Sequence, residues 1–152
     1  MWFRVDNRLV HGQVIEAWLP YTGAKHLVVA NDALADDGVS QQIISLAIPQ
    51  RIAVYFIPVH ELLPRLDACG EESFVLFATC KDARRACDAG VPMNVLNMCN
   101  LHYAPDKMQI LPHVALSAED REDLHVLREH FVQLDFRSVP TEPVRGIHEL
   151  LF

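Results

Sequence analysis

The sequence predicts an α/β fold of three layers, in which helices cover both faces of a single doubly wound, mostly parallel sheet of six or seven strands. Short apolar runs recur along the chain, and a segment with helical spacing follows each of the first four. These runs are apolar almost throughout, as expected for strands that are buried on both faces of a parallel sheet. We expect one domain over residues 1–152, because this length is typical of a single domain with its own core.

The first four strands and their helices follow each other in regular order. The opening run ends at Val5, and the apolar residues after Gly12 recur at the i, i+4 spacing of a helix, which we expect to stop at Pro20. Further strands are predicted at His26–Ala30, Ile52–Ile57 and Phe74–Ala78, with helices near Ile43–Ile48, Leu62–Leu66 and Lys81–Ala89. Each strand is therefore followed by a helix that can cross over to the next parallel strand.

The pattern changes after Pro92. A short strand is predicted over Met93–Met98, and the apolar run Met108–Leu116 follows it without an intervening helix, so the two are not joined by an ordinary crossover. Ser117 then caps a helix with an acidic first turn. Leu124, Leu127 and Phe131 form the predicted apolar stripe of that helix. The last strand is predicted at Leu134–Val139, and a closing helical turn at Ile147–Leu151.

The composition argues against several classes of function. The 20 acidic residues outnumber the 13 basic ones, the net charge is −7, and the basic residues do not cluster, which argues against nucleic acid as a ligand. No apolar run approaches the roughly 20 residues of a membrane span, and no signal peptide is recognisable, so we expect a cytoplasmic protein without a span. The 4 cysteines lack the spacing of a metal site, so we expect reduced thiols, no metal and no cofactor.

His11 lies between the first predicted strand and the first predicted helix. Backbone N–H groups at the start of a helix are unpaired and the macrodipole adds partial positive charge, so this junction favours an anion, above all a phosphate. An imidazole is also a nucleophile near neutral pH. With Arg8 close before it in the sequence, His11 is a candidate to carry a phosphoryl group as well as to bind one.

Residues 4–14, which read Arg-Val-Asp-Asn-Arg-Leu-Val-His-Gly-Gln-Val, are followed shortly by Trp18. This stretch resembles the signature of the IIB components of the bacterial phosphoenolpyruvate-dependent phosphotransferase system (PTS), in the mannose/fructose/sorbose family. The resemblance implies a phosphotransferase component that accepts a phosphoryl group from a phosphohistidine of IIA on Nδ1 of His11. It also implies transfer of that group to a sugar entering through the membrane components IIC and IID, and it leaves a homodimer open.

Several side chains near His11 are candidates for assisting such a transfer. The guanidinium of Arg8 can bind two oxygens of a phosphoryl group. Asp6 lies on the same side of an extended chain as Arg8, so it can orient Arg8 or His11, or it can only shape the loop. Gly12 allows the backbone to approach closely, and the side chain of Gln13 can donate to phosphate from the start of the helix.

Two further candidates follow other strands, and one arginine is set aside. Asp32, at the end of the second strand, is a candidate to contact the sugar or to help hold Arg8. Thr79 follows the fourth strand and can donate its hydroxyl to the anion. Arg4 lies within the first strand, where a structural pairing is favoured over catalysis.

The chain departs from the family pattern at several places. Met98-Cys99-Asn100 stands where glycines are common, and Gln41 and Gln42 replace a basic pair. These departures motivate an alternative function, a regulatory module of an incomplete PTS whose phosphorylation changes its binding to a regulator, without sugar transport. A histidine phosphatase ranks last, because those enzymes have arginine directly before the histidine, whereas Leu9 and Val10 intervene here.

Overall fold

The computed structural model describes residues 1–144. Its strands are β1 Trp2–Val5, β2 His26–Ala30, β3 Ala53–Ile57, β4 Ser73–Phe77, β5 Val95–Met98, β6 Met108–Leu111, β7 Val114–Leu116 and β8 Gln133–Asp135. Six of them form a parallel sheet in the order β3-β2-β4-β1-β5-β8, and β6 and β7 form a separate antiparallel hairpin. The predicted α/β fold with one mostly parallel sheet is therefore confirmed.

Helices cover both faces of the large sheet. They are α1 Leu19–Thr22, α2 Asp32–Ala35, α3 Gly38–Ala47, α4 Leu62–Cys69, α5 Cys80–Asp88 and α6 Ala118–Glu129, and a π-helical segment, Val14–Trp18, precedes α1. One core contains side chains of α4, α5, α6 and β7, and the other contains the π-helical segment and the residue that follows α3. Successive residues of the fully buried β4 enter the two cores alternately, as Phe74, Val75 and Leu76 show.

The first helix continues past Pro20, so its predicted end at that residue is wrong. The N–H of Leu19 donates to the carbonyl of Val14, which is the wider register of a π-helix. Pro20 thereby falls in the first turn of α1, where its missing N–H is not needed. The helix can then extend to Thr22.

The apolar run of residues 108–116 is divided into two strands, β6 and β7, which turn back on each other around Pro112. Val114 and Leu116 of β7 are buried in the core that contains α6. The hairpin therefore covers part of that core without joining the large sheet. Because β6 and β7 form a hairpin outside the large sheet, no crossover helix is needed between β5 and this run.

Local periodicity located two helices correctly but did not determine which side chains they bury. Phe131 was predicted to continue the apolar stripe of α6, yet that helix ends at Glu129 and Phe131 is 90% exposed, with a left-handed φ of 65°. On α3, Val39, Ile43 and Leu46 point to solvent, and we call these residues the α3 stripe. Because α3 is apolar on more than one side, spacing alone cannot identify its inner face.

Three remaining predictions concern the end of the chain, a membrane span and the cysteines. The closing turn predicted at Ile147–Leu151 lies outside residues 1–144. Within that range, no helix combines the length and the apolarity needed to cross a bilayer. All four cysteines are free, with Cys80 and Cys99 buried and the other two half-buried.

Candidate active site at the carboxyl end of the first strand

The loop that follows β1 lies at the carboxyl edge of the sheet, between the ends of β4 and β5. The N–H of Asp6 donates to the carbonyl of Phe77 at 2.8 Å, and the N–H of Cys99 donates to the carbonyl of Val5 at 3.1 Å. The Asn7 side chain donates to the carbonyl of Ala78 at 2.7 Å. Ligands of open parallel sheets bind at this edge, so the fold brings the loop to the expected place.

His11 ends the loop, and helical structure begins at the next residue, Gly12. The carbonyl of His11 accepts from the N–H of Ile15 at 3.1 Å. The N–H groups of Gly12 and Gln13 are in the first turn, where no carbonyl of the helix can reach them. The predicted junction of strand, loop and helix start is therefore present.

A fully buried ion pair lies beneath the loop. Arg4 and Asp6 have no solvent-exposed side-chain surface, and Nη2 of Arg4 is 2.9 Å from Oδ2 of Asp6. Arg4 also donates through Nη1 to Oδ1 of Asn97 at 2.6 Å and through Nη2 to Oε1 of Gln13 at 2.7 Å. The buried guanidinium thus has partners from β5 and from the helix start as well as from the loop after its own strand, which is what a buried charge requires.

The carboxylate of Asp6 is the centre of the site. Its Oδ2 accepts from Nε2 of His11 at 2.8 Å and from Nδ2 of Asn100 at 2.9 Å, and its Oδ1 accepts from the N–H of Arg8 at 2.9 Å. Burial by itself would raise the pKa of Asp6, but the hydrogen bonds from His11 and Asn100, the charge of Arg4 and the Arg8 N–H outweigh it and lower the pKa below its usual range. Asp6 is therefore an anion at neutral pH.

The two nitrogens of the His11 ring have different surroundings. Nε2 contacts Asp6, whereas Nδ1 has no hydrogen-bond partner within residues 1–144. An ionised carboxylate can only accept, so Nε2 carries a proton, and in the neutral ring the lone pair is therefore on Nδ1. The side chain is 7% exposed and lines a cleft of about 290 Å³ together with Val10, Glu16, Ile44 and Ala47.

Trp18 connects this site to the segment after β8. Its ring centroid lies 5.2 Å from the guanidinium carbon of Arg4 and 5.6 Å from that of Arg137, within the range of cation–π contacts. Its Nε1 donates to the carbonyl of Ser138 at 2.8 Å. The tryptophan of the motif therefore packs against the buried arginine and anchors the helix to a distant part of the chain.

The side chains of Arg8 and Asp6 do not contact each other, although their spacing in an extended chain allowed such a contact. The guanidinium of Arg8 is exposed and forms no hydrogen bond or ion pair within the described part of the chain, and only its backbone N–H contacts Asp6. Asp6 instead binds His11 and pairs with Arg4. The idea that Asp6 orients the Arg8 side chain is therefore wrong, because the chain turns after Asp6 and Leu9 adopts a left-handed φ of 53°.

Gly12 and Gln13 lie at the start of the helix, next to His11. A Cβ added at Gly12 would have no atom within 4 Å, so space is open beside its backbone. The Oε1 of Gln13 is occupied by Arg4 and by Asn100 at 3.1 Å. Its Nε2 has no partner within residues 1–144, so it is available as a donor.

Asp32 and Thr79 lie at the same edge of the sheet and have structural partners. Asp32 accepts from the N–H of Val59 at 2.9 Å and from Nη1 of Arg85 at 3.0 Å, so it pairs with Arg85 and does not hold Arg8. Thr79 caps α5, and its Oγ1 accepts from the N–H of Asp82 at 3.1 Å. Both side chains are exposed, and the Thr79 hydroxyl can still donate its proton to a ligand.

Sequence reasoning missed Asn100 and Asn97, whereas the structural pairing predicted for Arg4 is confirmed. Asn100 contacts Asp6 and Gln13 from the segment after β5, and Asn97 of β5 binds the Arg4 guanidinium. Asn100 has a left-handed φ of 54°, a conformation that asparagine adopts more readily than most residues. The signal available in the sequence was an asparagine at a position where glycine is common.

The donor set of the site does not resemble a metal centre. No group of three or more histidine, cysteine or acidic side chains in residues 1–144 is arranged to hold a metal ion. What the site offers is one imidazole nitrogen with a lone pair, a helix start, and an arginine at the rim.

Comparison with known proteins identifies the family. The family model described as the PTS system sorbose subfamily IIB component matches residues 1–152. The chain belongs to this family. The resemblance stated from residues 4–14 is therefore confirmed, and the chain is a sugar-specific component of a phosphotransferase.

Individual relatives support the same assignment over nearly the whole length of this IIB component. The N-acetylgalactosamine-specific phosphotransferase enzyme IIB component 2 of Escherichia coli (strain K12) is 34% identical over 151 residues, covering 97% of this chain and 96% of that protein. The crystal structure of an N-acetylgalactosamine IIB component from Streptococcus pyogenes has a TM-score of 0.89 at 27% identity, covering 94% of this chain and 90% of its own.

A third relative extends the comparison to another named sugar. The crystal structure of the IIB domain of the sorbose permease from Klebsiella pneumoniae has a TM-score of 0.88 at 26% identity, covering 97% of this chain and 93% of its own. The fold is thus shared by IIB components with different named sugars. Similarity alone therefore does not identify the sugar of this chain.

Proposed function

We propose that this IIB component is the phosphohistidine carrier of a sugar PTS, accepting a phosphoryl group from IIA on His11 and passing it to a sugar imported through IIC and IID. The observation that carries the proposal is the hydrogen bond of 2.8 Å between Nε2 of His11 and Oδ2 of Asp6. It leaves Nδ1 as the nucleophilic nitrogen of the ring.

The buried carboxylate explains how one nitrogen is selected. A neutral imidazole has one N–H, and the tautomer is set by the hydrogen bond that the other nitrogen makes. Asp6 is held in place by Arg4, Asn100 and the Arg8 N–H. The His11 ring therefore cannot flip to swap the positions of its two nitrogens without breaking the hydrogen bond between Nε2 and Asp6. The family membership implies phosphorylation on Nδ1, and this arrangement supports it.

The first transfer exchanges one N–P bond for another. The lone pair of Nδ1 attacks phosphorus in line, the N–P bond to the donor histidine breaks, and the donor nitrogen takes the bonding electrons. Charge then spreads over the three equatorial oxygens, so catalysis depends on positioning and on electrostatic stabilisation. The exposed Arg8 is proposed to supply the cation, while the N–H groups of Gly12 and Gln13, together with Nε2 of Gln13, are proposed to bind the oxygens.

The second transfer releases the group to the sugar. The Nδ1–P bond breaks as a P–O bond forms to a sugar hydroxyl, whose proton leaves. The His11 ring recovers its lone pair with Nε2 still protonated against Asp6. Asp32 and Thr79 remain proposed contacts of the sugar or of the phosphoryl group, because both are exposed at the carboxyl edge of the sheet.

We place the docking surface of IIA beside the cleft. A phosphohistidine of IIA must come within bonding distance of His11, and Ile44 and Ala47 of α3 form one wall of the cleft that His11 lines. The outer face of the same helix carries the α3 stripe, which is 64% to 88% exposed. An apolar, uncharged surface on the helix that borders the cleft is suited to a protein partner.

Phosphorylation of the purified chain tests the function. Phosphorylated IIA is added, the intact mass is measured, and membranes that contain IIC and IID are then added with candidate sugars. N-acetylgalactosamine is the first candidate, because two of the similar relatives are named for it. An acid-labile phosphate on the wild type that is absent from His11→Ala and is discharged by one sugar is expected. Stable phosphorylation without discharge would instead favour the regulatory alternative.

Two variants separate chemistry from docking. Arg8→Gln is expected to slow phosphorylation on the order of 100-fold, as loss of one stabilising donor does elsewhere.

Leu46→Lys, in the α3 stripe, is expected to raise the KM for phosphorylated IIA about tenfold and to leave labelling by the small donor phosphoramidate unchanged. Met108→Lys is the matched control, since Met108 is also an exposed apolar residue but lies on β6. Equal effects of both lysines would exclude the α3 stripe as the docking surface.

Localisation in the cytoplasm is part of the proposal. A IIB component must reach both a phosphorylated protein and the inner side of a membrane transporter. Fractionation of cells that express the tagged chain, with and without IIC and IID, tests it. Recovery in the membrane fraction only when IIC and IID are present would support association through these partners.

A further inference from the structure

Asn100 lies where the segment after β5 meets the active loop. Its carbonyl accepts from the N–H of Asn7 at 3.2 Å, and its left-handed φ of 54° turns its side chain toward Asp6. Two residues further on, the N–H of His102 donates to the side-chain Oδ1 of Asn7 at 2.8 Å. The segment that carries the Asn100 amide is therefore attached to Asn7 at two points.

The amide nitrogen of Asn100 has two protons and two acceptors. One is Oδ2 of Asp6 at 2.9 Å and the other is Oε1 of Gln13 at 3.1 Å. The same nitrogen is 3.4 Å from Nε2 of His11. Because both of these nitrogens carry protons directed at Oδ2 of Asp6, they share this acceptor and do not bond to each other.

We propose that Asn100 is a positioning residue that acts through Asp6 to set the reactivity of His11. By donating to the oxygen that accepts from Nε2, Asn100 weakens Asp6 as a hydrogen-bond partner of the imidazole. A weaker partner favours the unprotonated ring and a phosphoryl group that is transferred readily. This inference rests on the proposed phosphorylation of His11.

The physical basis is competition for one acceptor. A carboxylate hydrogen-bonded to a ring N–H increases the electron density of the ring, which raises its affinity for a proton and stabilises a bond from the other nitrogen to phosphorus. Each further donor on the same oxygen reduces that effect. Arg4 is also such a donor, through Nε at 3.1 Å and Nη2 at 2.9 Å, but its removal would leave Asp6 as an unpaired buried charge.

The charged groups around His11 allow a pH profile to be interpreted. Asp6 contacts the ring directly, and the buried Arg4 lies behind Asp6. Arg8 belongs to the same loop, and Glu16 lines the same cleft from the π-helical segment. Asn100 itself is uncharged, so its replacement changes the hydrogen bonding of Asp6 without changing the number of charges in the site.

The test compares the pH dependence of labelling in three proteins. Wild type, Asn100→Gly and Asn94→Gly are treated with phosphoramidate between about pH 5 and 8, and the rate is read from intact mass. Glycine adopts the left-handed backbone of residue 100 without strain, so the first variant removes only the amide. Asn94 is an exposed asparagine at the opposite end of β5 and supplies the matched control.

In Asn100→Gly the midpoint of the pH–rate profile is expected to move to higher pH by roughly 0.5 to 1 unit, because Asp6 then stabilises the protonated ring more strongly. The half-life of the phosphorylated form is expected to lengthen several-fold. Asn94→Gly is expected to match the wild type in both quantities. An unchanged profile in Asn100→Gly, or a shift to lower pH, would overturn the proposal and leave Asn100 as a loop tether.

Two further controls distinguish an effect of Asn100 on His11 from a loss of folding stability and from a failure of the proposed function. Thermal unfolding is recorded for each variant, and Asn100→Ala is added because alanine removes the same amide at a different backbone cost. Equal shifts of the pH profile in the glycine and alanine variants, despite unequal stabilities, would assign the effect to the amide, whereas shifts that follow stability would contradict the proposal. Failure to label the wild type would instead count against the proposed phosphorylation of His11.

Discussion

Asp6 and Asp32 are two carboxylates at the same edge of the sheet, and each is paired with an arginine. Asp6 follows β1 and pairs with Arg4 at 2.9 Å, while Asp32 follows β2 and pairs with Arg85 at 3.0 Å. Both have a pKa below the usual range. The side chain of Asp6 has no exposed surface, whereas that of Asp32 is 53% exposed.

The difference between the two pairs lies in their surroundings. The low pKa of Asp32 comes first from the N–H of Val59 and then from Arg85, in a place that water can reach. Asp6 is enclosed, and its charge is compensated by Arg4 and by hydrogen bonds from His11, Asn100 and the N–H of Arg8. Burial thus turns an ordinary ion pair into one on which both folding and the orientation of His11 depend.

The largest effect is expected when the buried pair loses one member. Arg4→Met removes the guanidinium and leaves the Asp6 charge in the interior, which should lower the free energy of unfolding by about 3–5 kcal/mol. Urea denaturation at pH 7 measures this. The double variant Arg4→Met/Asp6→Leu is the control, because replacing both charges with apolar side chains should restore much of the stability. A double variant no more stable than the single one would show that the penalty is not one of an unpaired charge.

The pH-dependent part of the stabilisation by this pair is smaller, and Asp6→Asn is the variant that isolates it. The folded pKa of Asp6 lies below its reference value of 3.8, so the stabilisation from its ionised form is present above about pH 4 and is lost as the pH falls through the lowered folded pKa. The free energy of unfolding of the wild type should therefore fall more steeply in acid than that of Asp6→Asn. Urea titrations at several pH values below 5 give the two slopes, and parallel slopes would contradict the assignment.

The smallest effect is expected at the exposed pair. Asp32→Asn or Arg85→Gln should change the free energy of unfolding at pH 7 by less than about 1 kcal/mol, because exposed ion pairs gain little over their hydrated charges. Added salt should reduce even this difference. The measurement is urea denaturation in low and high salt beside Arg4→Met. A loss comparable to that of Arg4→Met would mean that exposure does not distinguish the two carboxylates.

Particular residues show how far the sequence could predict the site. His11 and the helix start after it were predictable, because strand, loop and helix are successive in the chain and each has a local signature. Asn100 was not predictable as a neighbour of Asp6, since 94 positions separate the two residues and only the pairing of β1 with β5 brings them together. The exposed Ile43 and Phe131 show the same limit, because helical spacing does not say where a core lies.

The sequence by itself determined the fold class, the family and the placement of His11 between a strand and a helix, because periodicity and motif are properties of contiguous residues. Only the tertiary structure decided which arginine pairs with Asp6. Arg4 and Arg8 are both two positions from it, so strand alternation allows either. The chain leaves the strand after Val5 and turns, which exposes Arg8, whereas Arg4 remains in β1 and is enclosed by residues from β5 and from the first helix.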